Sequence, residues 1–161
     1  MPGLEIVAVA SSEAKREIAT AAGADHAIAP EGFKDAVMEI TEGRGVDIVV
    51  DPVGGDRFTD SLRSLAVEGR LLVIGFTGGA IPEVKVNRLL LNNVDGVGVG
   101  WGAFWMPRPE TVPAQWKAIE PLVASGQLSP VLGEVRPLER AGEAIAEMEE
   151  RRATGKLVLT L

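Results

Sequence analysis

Between residues 4 and 101 short apolar runs alternate with amphipathic stretches, and glycines cluster where one gives way to the next. Leu4–Ala10, His26–Ile28, Val46–Val50, Arg70–Ile74 and Val94–Trp101 read as strands. Glu13–Ala22, Phe33–Ile40, Asp56–Ala66 and Val86–Leu91 read as helices. Ser11 or Ser12 can cap the first helix, and Gly23 stands where a C-cap glycine would. Such alternation predicts parallel βαβ units, wound right-handedly so that helices cover both faces of a mostly parallel sheet. The fold class expected is α/β and doubly wound. One part of that pattern is missing. A nucleotide-binding sheet usually opens with a strand and a glycine-rich phosphate loop, but the first strand here runs into Ser11-Ser12 with no glycine. The chain reads as a sheet that starts at its second strand.

After Gly102 the character changes. MPRPETVP is a proline-rich connection. Glu110–Ser125 reads as a helix, with Trp116, Ile119, Leu122 and Val123 at helical spacing and two prolines, Pro113 and Pro121, against it. Val131–Val135 reads as a strand. Leu138–Arg152 reads as a charged helix carrying Ala141, Ala144, Ile145 and Met148 on one face, and Lys156–Leu161 as a last strand.

Composition removes several functions. The 161 residues carry a net charge of -7, which disfavours nucleic acid as a partner, since phosphate neutralisation needs clustered lysine and arginine. No apolar run approaches the ~20 residues that span a bilayer, and no signal peptide is visible. The chain has no cysteine, so neither a disulfide nor a cysteine-ligated zinc site can form within it. This pattern suits a cytoplasmic protein. Metal-ligand clustering is absent, and no G-x-S-x-G supports a serine nucleophile. The single histidine, His26, sits in a short strand and reads as structural. No catalytic residue is assigned.

Three features remain for binding. The first is the tip of the first strand, where Ser11 and Ser12 precede Lys15 and Arg16 without a carboxylate. Small polar and basic groups there suit the 2′-phosphate of NADP, whereas an acidic residue would suit the ribose of NAD. An ordinary N-cap ahead of a solvated basic face explains the same residues. The second is a pair of turns at strand ends, Asp51-Pro52-Val53-Gly54-Gly55 and Gly75-Phe76-Thr77-Gly78-Gly79. Ligands of open α/β sheets lie at that edge, and glycine lets them approach the backbone; plain turn chemistry is the other account. The third is Trp101, Phe104 and Trp105, which serve equally as a dimer contact, a pocket wall or core packing.

Taken together, VAVASSEAKREIATAAGADHAI, GRGVDIVVDPVGGDRF, SLAVEGRLLVIGFTGG, NRLLLNNVDGVGVGWGAF and ERRATGKLVL resemble the medium-chain dehydrogenase/reductase superfamily, and within it the zinc-independent, quinone oxidoreductase-like branch. The resemblance covers nearly the whole chain in family order. It implies NADPH-dependent hydride transfer to a quinone, enone or related acceptor. By it, Ser11, Ser12 and Lys15 fall at the adenosine 2′-phosphate, and Val53 and Gly54 beside the adenosine and pyrophosphate. Gly75, Phe76 and Thr77 fall near the nicotinamide, and Arg152 matches an arginine near the cofactor. Pro30 stands where quinone reductases of this type often carry a tyrosine.

The resemblance also divides the chain. Residues 1–126 correspond to a partial Rossmann domain without its first strand and glycine loop. Residues 127–161 correspond to a helix–strand tail of the catalytic domain. In the strand order 3-2-1-4-5-6 the missing strand is central, so Leu4–Ala10 and Val46–Val50 would each expose an edge. Three outcomes are expected: the two strands pair directly, a second chain supplies a strand, or the segment is a fragment of a longer enzyme. The leading expectation is a fragment or truncated homologue of an NADPH-dependent oxidoreductase, inactive alone. The alternatives are a non-catalytic module that dimerises through the Val94–Trp101 edge, and one half of a split oxidoreductase completed by a separate N-terminal polypeptide.

Overall fold

The computed structural model describes residues 3–161. β1 (Val7–Val9) leads into α1 (Glu13–Ala21), whose N-cap is Ser12. The Ser12 Oγ accepts the Lys15 backbone N–H at 3.3 Å. The helix closes on Gly23 at φ +106, a left-handed step that glycine takes at little steric cost. β2 (His26–Ile28) runs parallel to β1, with Val7 opposite His26 and Val9 opposite Ile28. α2 (Phe33–Ile40) buries Phe33 and Val37.

The second unit holds the core. β3 (Val46–Asp51) passes through a 3-10 turn at Gly55–Arg57 into α3 (Phe58–Arg63), then β4 (Leu65–Val73), α4 (Asn87–Asn92) and β5 (Asp95–Gly98). The strands lie in the order β3-β4-β5, all parallel. Leu62, Leu65, Leu71 and Val94 are buried on one face, with Val46, Val49, Phe58, Val73, Val84 and Leu89 packed around them. Leu71, at the middle of the sheet, is wholly enclosed.

Several boundaries differ from the sequence reading. The helix expected over Asp56–Ala66 stops at Arg63, because Leu65 and Ala66 are already in β4, Leu65 opposite Val46. The strand expected from Arg70 therefore starts at Leu65. A register shift absorbs the added residues: Glu68 takes φ +65, and its N–H reaches the Asn93 carbonyl at 2.7 Å. The strand expected to run to Trp101 ends at Gly98, and Trp101–Trp105 forms α5. The ladder runs out with its partner, since β4 ends at Val73, opposite Gly98. Beyond it the Trp101 indole N–H donates to Gln115 at 2.9 Å on α6 (Thr111–Ala124), and its ring lies 5.7 Å from that of Trp105. Both contacts need the chain to turn back. Pro113 falls in the first turn of α6, where a helix leaves its N–H groups unpaired, so it costs little.

The chain ends with β6 (Leu132–Pro137), a 3-10 turn at Leu138–Arg140, α7 (Ala141–Glu149) and β7 (Lys156–Thr160), which runs parallel to β6. The helix expected over Leu138–Arg152 is thus shorter at both ends. Arg136 is buried beneath it and donates to Glu134 and Glu147.

Among the described residues the seven strands form three sheets, β1-β2, β3-β4-β5 and β6-β7. Direct pairing of β1 with β3, one of the outcomes expected, does not occur. The Ala10 N–H bonds to the Ile28 carbonyl and the His26 N–H to the Ile6 carbonyl. Alternation then turns the peptide groups of Val7 and Val9 toward the open edge. Two residues offer too few bonds to join two packed units. On β3 the Asp51 carbonyl accepts from Ile74, so Ile48 and Val50 face outward, and their side chains are 56% and 62% exposed. The accessible surface is 11382 Å². A folded monomer of 17.0 kDa is expected to show about 7,700 Å².

Candidate functional site

The turn after β3 is built on one carboxylate. Asp51 is only 7% exposed, and its Oδ1 accepts the backbone N–H groups of Val53 at 2.8 Å and Gly54 at 2.9 Å. The Asp side chain thereby replaces a turn of backbone. Gly54 sits at φ +65, and a Cβ there would come within 2.8 Å of the Phe76 ring. No other residue fits that contact unstrained.

The turn after β4 locks onto it. Ile74 N–H bonds to the Asp51 carbonyl at 3.0 Å, and Gly78 N–H to the Val53 carbonyl at 2.8 Å. Thr77 uses both its N–H, at 3.0 Å, and its hydroxyl, at 3.1 Å, on the Pro52 carbonyl. Gly55 N–H reaches Ala80 at 3.2 Å. The structure therefore brings Val53, Gly54, Gly75, Phe76 and Thr77 together at the carboxyl ends of β3 and β4. Val53 and Phe76 are each 40% exposed. They present apolar surface beside turns whose backbone groups are largely bonded to one another and to Asp51.

The other predicted residues gather elsewhere. Ser11 is exposed, and Ser12 performs the capping that the plainer of its two readings assigned. Arg16 serves the fold: it donates to the Ala10 carbonyl at 3.1 Å and pairs with Glu13. Lys15 reaches across the molecule, its Nζ donating at 2.7 Å to the carbonyl of Arg151, 136 residues away in sequence. Arg152 follows directly and pairs with Glu150. Lys15 is thus brought to the residue that precedes Arg152, from the opposite end of the chain. Among the described residues no hydrogen bond joins this cluster to the strand-end turns.

His26 pairs with Glu5 at 2.9 Å on the surface. Among the described residues no group of three histidines, cysteines or carboxylates is placed to hold a metal. Two concavities, of about 420 Å³ and about 460 Å³, lie beside α1 and around Arg63, Lys85 and Arg88. Neither includes a strand-end turn, and both are shallow hollows between solvated helix side chains. Sequence reasoning missed two residues. Asp51 was seen only as part of a glycine turn, although an Asp two and three residues ahead of free N–H groups signals its role. Arg151 carried no local signal, because its partner is so distant.

Comparison with known proteins places these features in context. The family model described as zinc-binding dehydrogenase matches residues 22–159. Quinone oxidoreductase-like protein 2 of Bos taurus is 36% identical over 162 residues, covering 98% of this chain and 46% of the relative. A probable oxidoreductase from Mycobacterium abscessus superposes with a TM-score of 0.81 at 38% identity, covering 99% of this chain and 47% of that one. The mycobacterial protein Rv1454c, solved complexed with NADPH, gives a TM-score of 0.88 at 28% identity, covering 99% of this chain and 50% of that one. The chain spans about half the length of the curated relatives it matches.

Proposed function

Because the chain belongs to the zinc-binding dehydrogenase family, in the quinone oxidoreductase-like part of the medium-chain dehydrogenase/reductase superfamily, we propose that it forms part of the cofactor platform of an NADPH-dependent oxidoreductase. The acceptor class is a quinone, enone or related compound. The observation that carries this reading is the interlocking of the two glycine turns at the carboxyl ends of β3 and β4. Ligands of open α/β sheets bind at that end.

In this reading residues 1–126 hold the cofactor and residues 127–161 contribute to the acceptor-binding domain. Ser11, Ser12 and Lys15 receive the adenosine 2′-phosphate, and Arg152 lies near the cofactor. Val53 and Gly54 lie beside the adenosine and pyrophosphate, and Gly75, Phe76 and Thr77 at the nicotinamide side. Part of the donor set suits such a group: Lys15 stands in the first turn of α1 beside the Ser12 cap, and Val53 and Phe76 present half-exposed apolar surface at the strand ends, while Gly54 itself lies beneath the Phe76 ring. Bound NADPH supplies the hydride; this chain holds and orients it. Zinc, which the family description implies, does not fit the donor set, since the chain has no cysteine and one histidine. The proposed chemistry is therefore zinc-independent as far as these residues take part.

Without a glycine loop the pyrophosphate has no helix N-terminus to rest on, so affinity is millimolar or weaker and the chain alone gives no turnover. The test is an NADPH titration followed by backbone amide NMR shifts. Movement at Lys15, Gly54, Phe76 and Thr77 is expected. A titration to the solubility limit that leaves those amides unmoved overturns the reading.

Two observations favour alternatives. β5 has one edge unpaired and is exposed along its length, which supports a non-catalytic module that dimerises strand to strand. The open edges of β1 and β3, with Ile48 and Val50 beside them, support a split oxidoreductase in which a separate polypeptide adds a strand.

A further inference from the structure

One surface of the β3-β4-β5 unit has no part in the cofactor reading. α4 carries three consecutive leucines, and the fold uses one of them. Leu89 packs against the core, which turns its neighbours outward. Leu90 is 76% exposed and Leu91 73%. Val86, four residues before Leu90 and so on the same side of the helix, is exposed to a similar degree. Fold stability does not account for these three side chains, since they bury little.

The charges beside them are also unspent. The hollow of about 460 Å³ between the end of α3 and α4 is lined by Arg63, Lys85, Asn87, Arg88, Leu91 and Asn92, with no carboxylate and no residue of the strand-end turns. Most arginines of the chain pair with carboxylates, as Arg16, Arg44, Arg57 and Arg140 do. Lys85 and Arg88 have no carboxylate partner among the described residues. Arg63 holds Asp60 only at 3.4 Å, with both side chains about half exposed. On a chain of net charge -7, three cations thus converge on one hollow next to bare leucines.

That combination selects the occupant. A small anion would satisfy the cations and leave Val86, Leu90 and Leu91 wet. A lipid surface or a nucleic acid is a broad field of negative charge, which the overall charge of the chain opposes. A second copy brings the same negative excess. A polypeptide segment with carboxylates flanking apolar side chains complements both halves. We infer that the α3–α4 surface docks an acidic, leucine-bearing segment of a partner polypeptide. Its carboxylates meet Arg63, Lys85 and Arg88, and its apolar side chains cover Leu90 and Leu91. The hollow is shallow, as suits a segment laid across it.

The test uses the full chain and a fluorescein-labelled peptide, Glu-Glu-Leu-Leu-Glu-Glu-Leu-Leu-Glu-Glu, read by anisotropy and by backbone amide shifts. Binding is expected to move the amides of Arg63, Arg88 and Leu91 and to leave Gly54 and Thr77 in place. The double variant Lys85→Gln, Arg88→Gln should weaken it about three- to tenfold, as the loss of two exposed charge pairs implies. Leu90→Gln, Leu91→Gln should weaken it at least as much, and glutamine keeps the helix propensity of leucine. Both pairs of side chains lie at the surface, so melting temperatures stay at the wild-type value. Four controls accompany the peptide: its Glu-to-Gln form, its Leu-to-Ser form, inorganic pyrophosphate, and vesicles of phosphatidylcholine with phosphatidylserine. Each is expected to bind at least tenfold more weakly. Equal binding of the serine form or of pyrophosphate would reduce the surface to a simple anion site and overturn the inference. Retention on the vesicles, or self-association that shifts the same amides, would put a membrane or a second copy in the partner's place and overturn it too. So would an acidic peptide that leaves these amides unmoved at its solubility limit.

Discussion

Asp51 and Arg136 are the two charged side chains that the described chain buries, and they serve different ends. Asp51 organises a turn. Replacing it with alanine leaves the Val53 and Gly54 N–H groups without their acceptor in a largely enclosed place, which costs about 1–3 kcal/mol. Asp51→Asn keeps an oxygen at the same position and is expected to lose much less. Urea denaturation of the two variants checks this, and equal losses would show that the carboxylate's charge, not its acceptor geometry, matters. At this scale the sequence was informative about kind and silent about partners. DPVGG is legible as a turn from proline and glycine alone. That its glycine lies under the Phe76 ring is not, because the contact joins residues from two separate turns. Ser12 was legible with two readings, and its bond to the Lys15 N–H establishes the cap while leaving its hydroxyl proton available.

At the scale of elements, the C-terminal unit is laced by charge. Arg136 bridges Glu134 on its own strand to Glu147 on α7, and Arg140 pairs with Glu143. The hydrogen bond from Arg136 holds the Glu134 carboxyl below its usual value of 4.5, and Arg140 does the same for Glu143. Both folded-state values are depressed. Their contribution is therefore present above pH 4.5 and is lost as pH falls through the depressed values. The melting temperature is expected to hold between pH 7 and pH 5 and to drop below about 4.5, and a Glu134→Gln, Glu143→Gln double variant should show a shallower acid limb. The limb will not vanish, because Arg44 also lowers Asp47. A double variant with an unchanged limb would remove these pairs from the account. Helix and strand identities were legible here from periodicity. The ends were not: α7 stops early through a left-handed step at an arginine, and β5 stops early because its partner β4 ends at Val73, opposite Gly98. Neither cause is visible in a local window.

For the whole molecule the main quantity is surface. The chain exposes about 3,700 Å² more than a compact monomer of its mass should, above the roughly 1,000–2,500 Å² that each partner buries in a typical obligate interface. The apolar stripe of α6, with Trp116, Leu122 and Val123, lies in that excess. The α/β class and the open edges of β1 and β3 were legible from strand order. The separation into three sheets was not, since it depends on how few peptide groups β1 offers. If β5 continues its sheet into a second copy, light scattering after size exclusion gives a dimer. The Val99 N–H bonds to Val73, so alternation turns the Gly96 N–H outward, and proline there removes an edge donor. Gly96→Pro should then yield a folded monomer; a wild-type monomer at high concentration would sink the dimer reading.

The bond from Lys15 to Arg151 has a consequence in time. Donor and acceptor stand 136 residues apart, so a long loop closes with this one bond. The contact cannot form before α1 and the turn after α7 have both been made, and its appearance during refolding would report order between distant parts of the chain rather than within either of them.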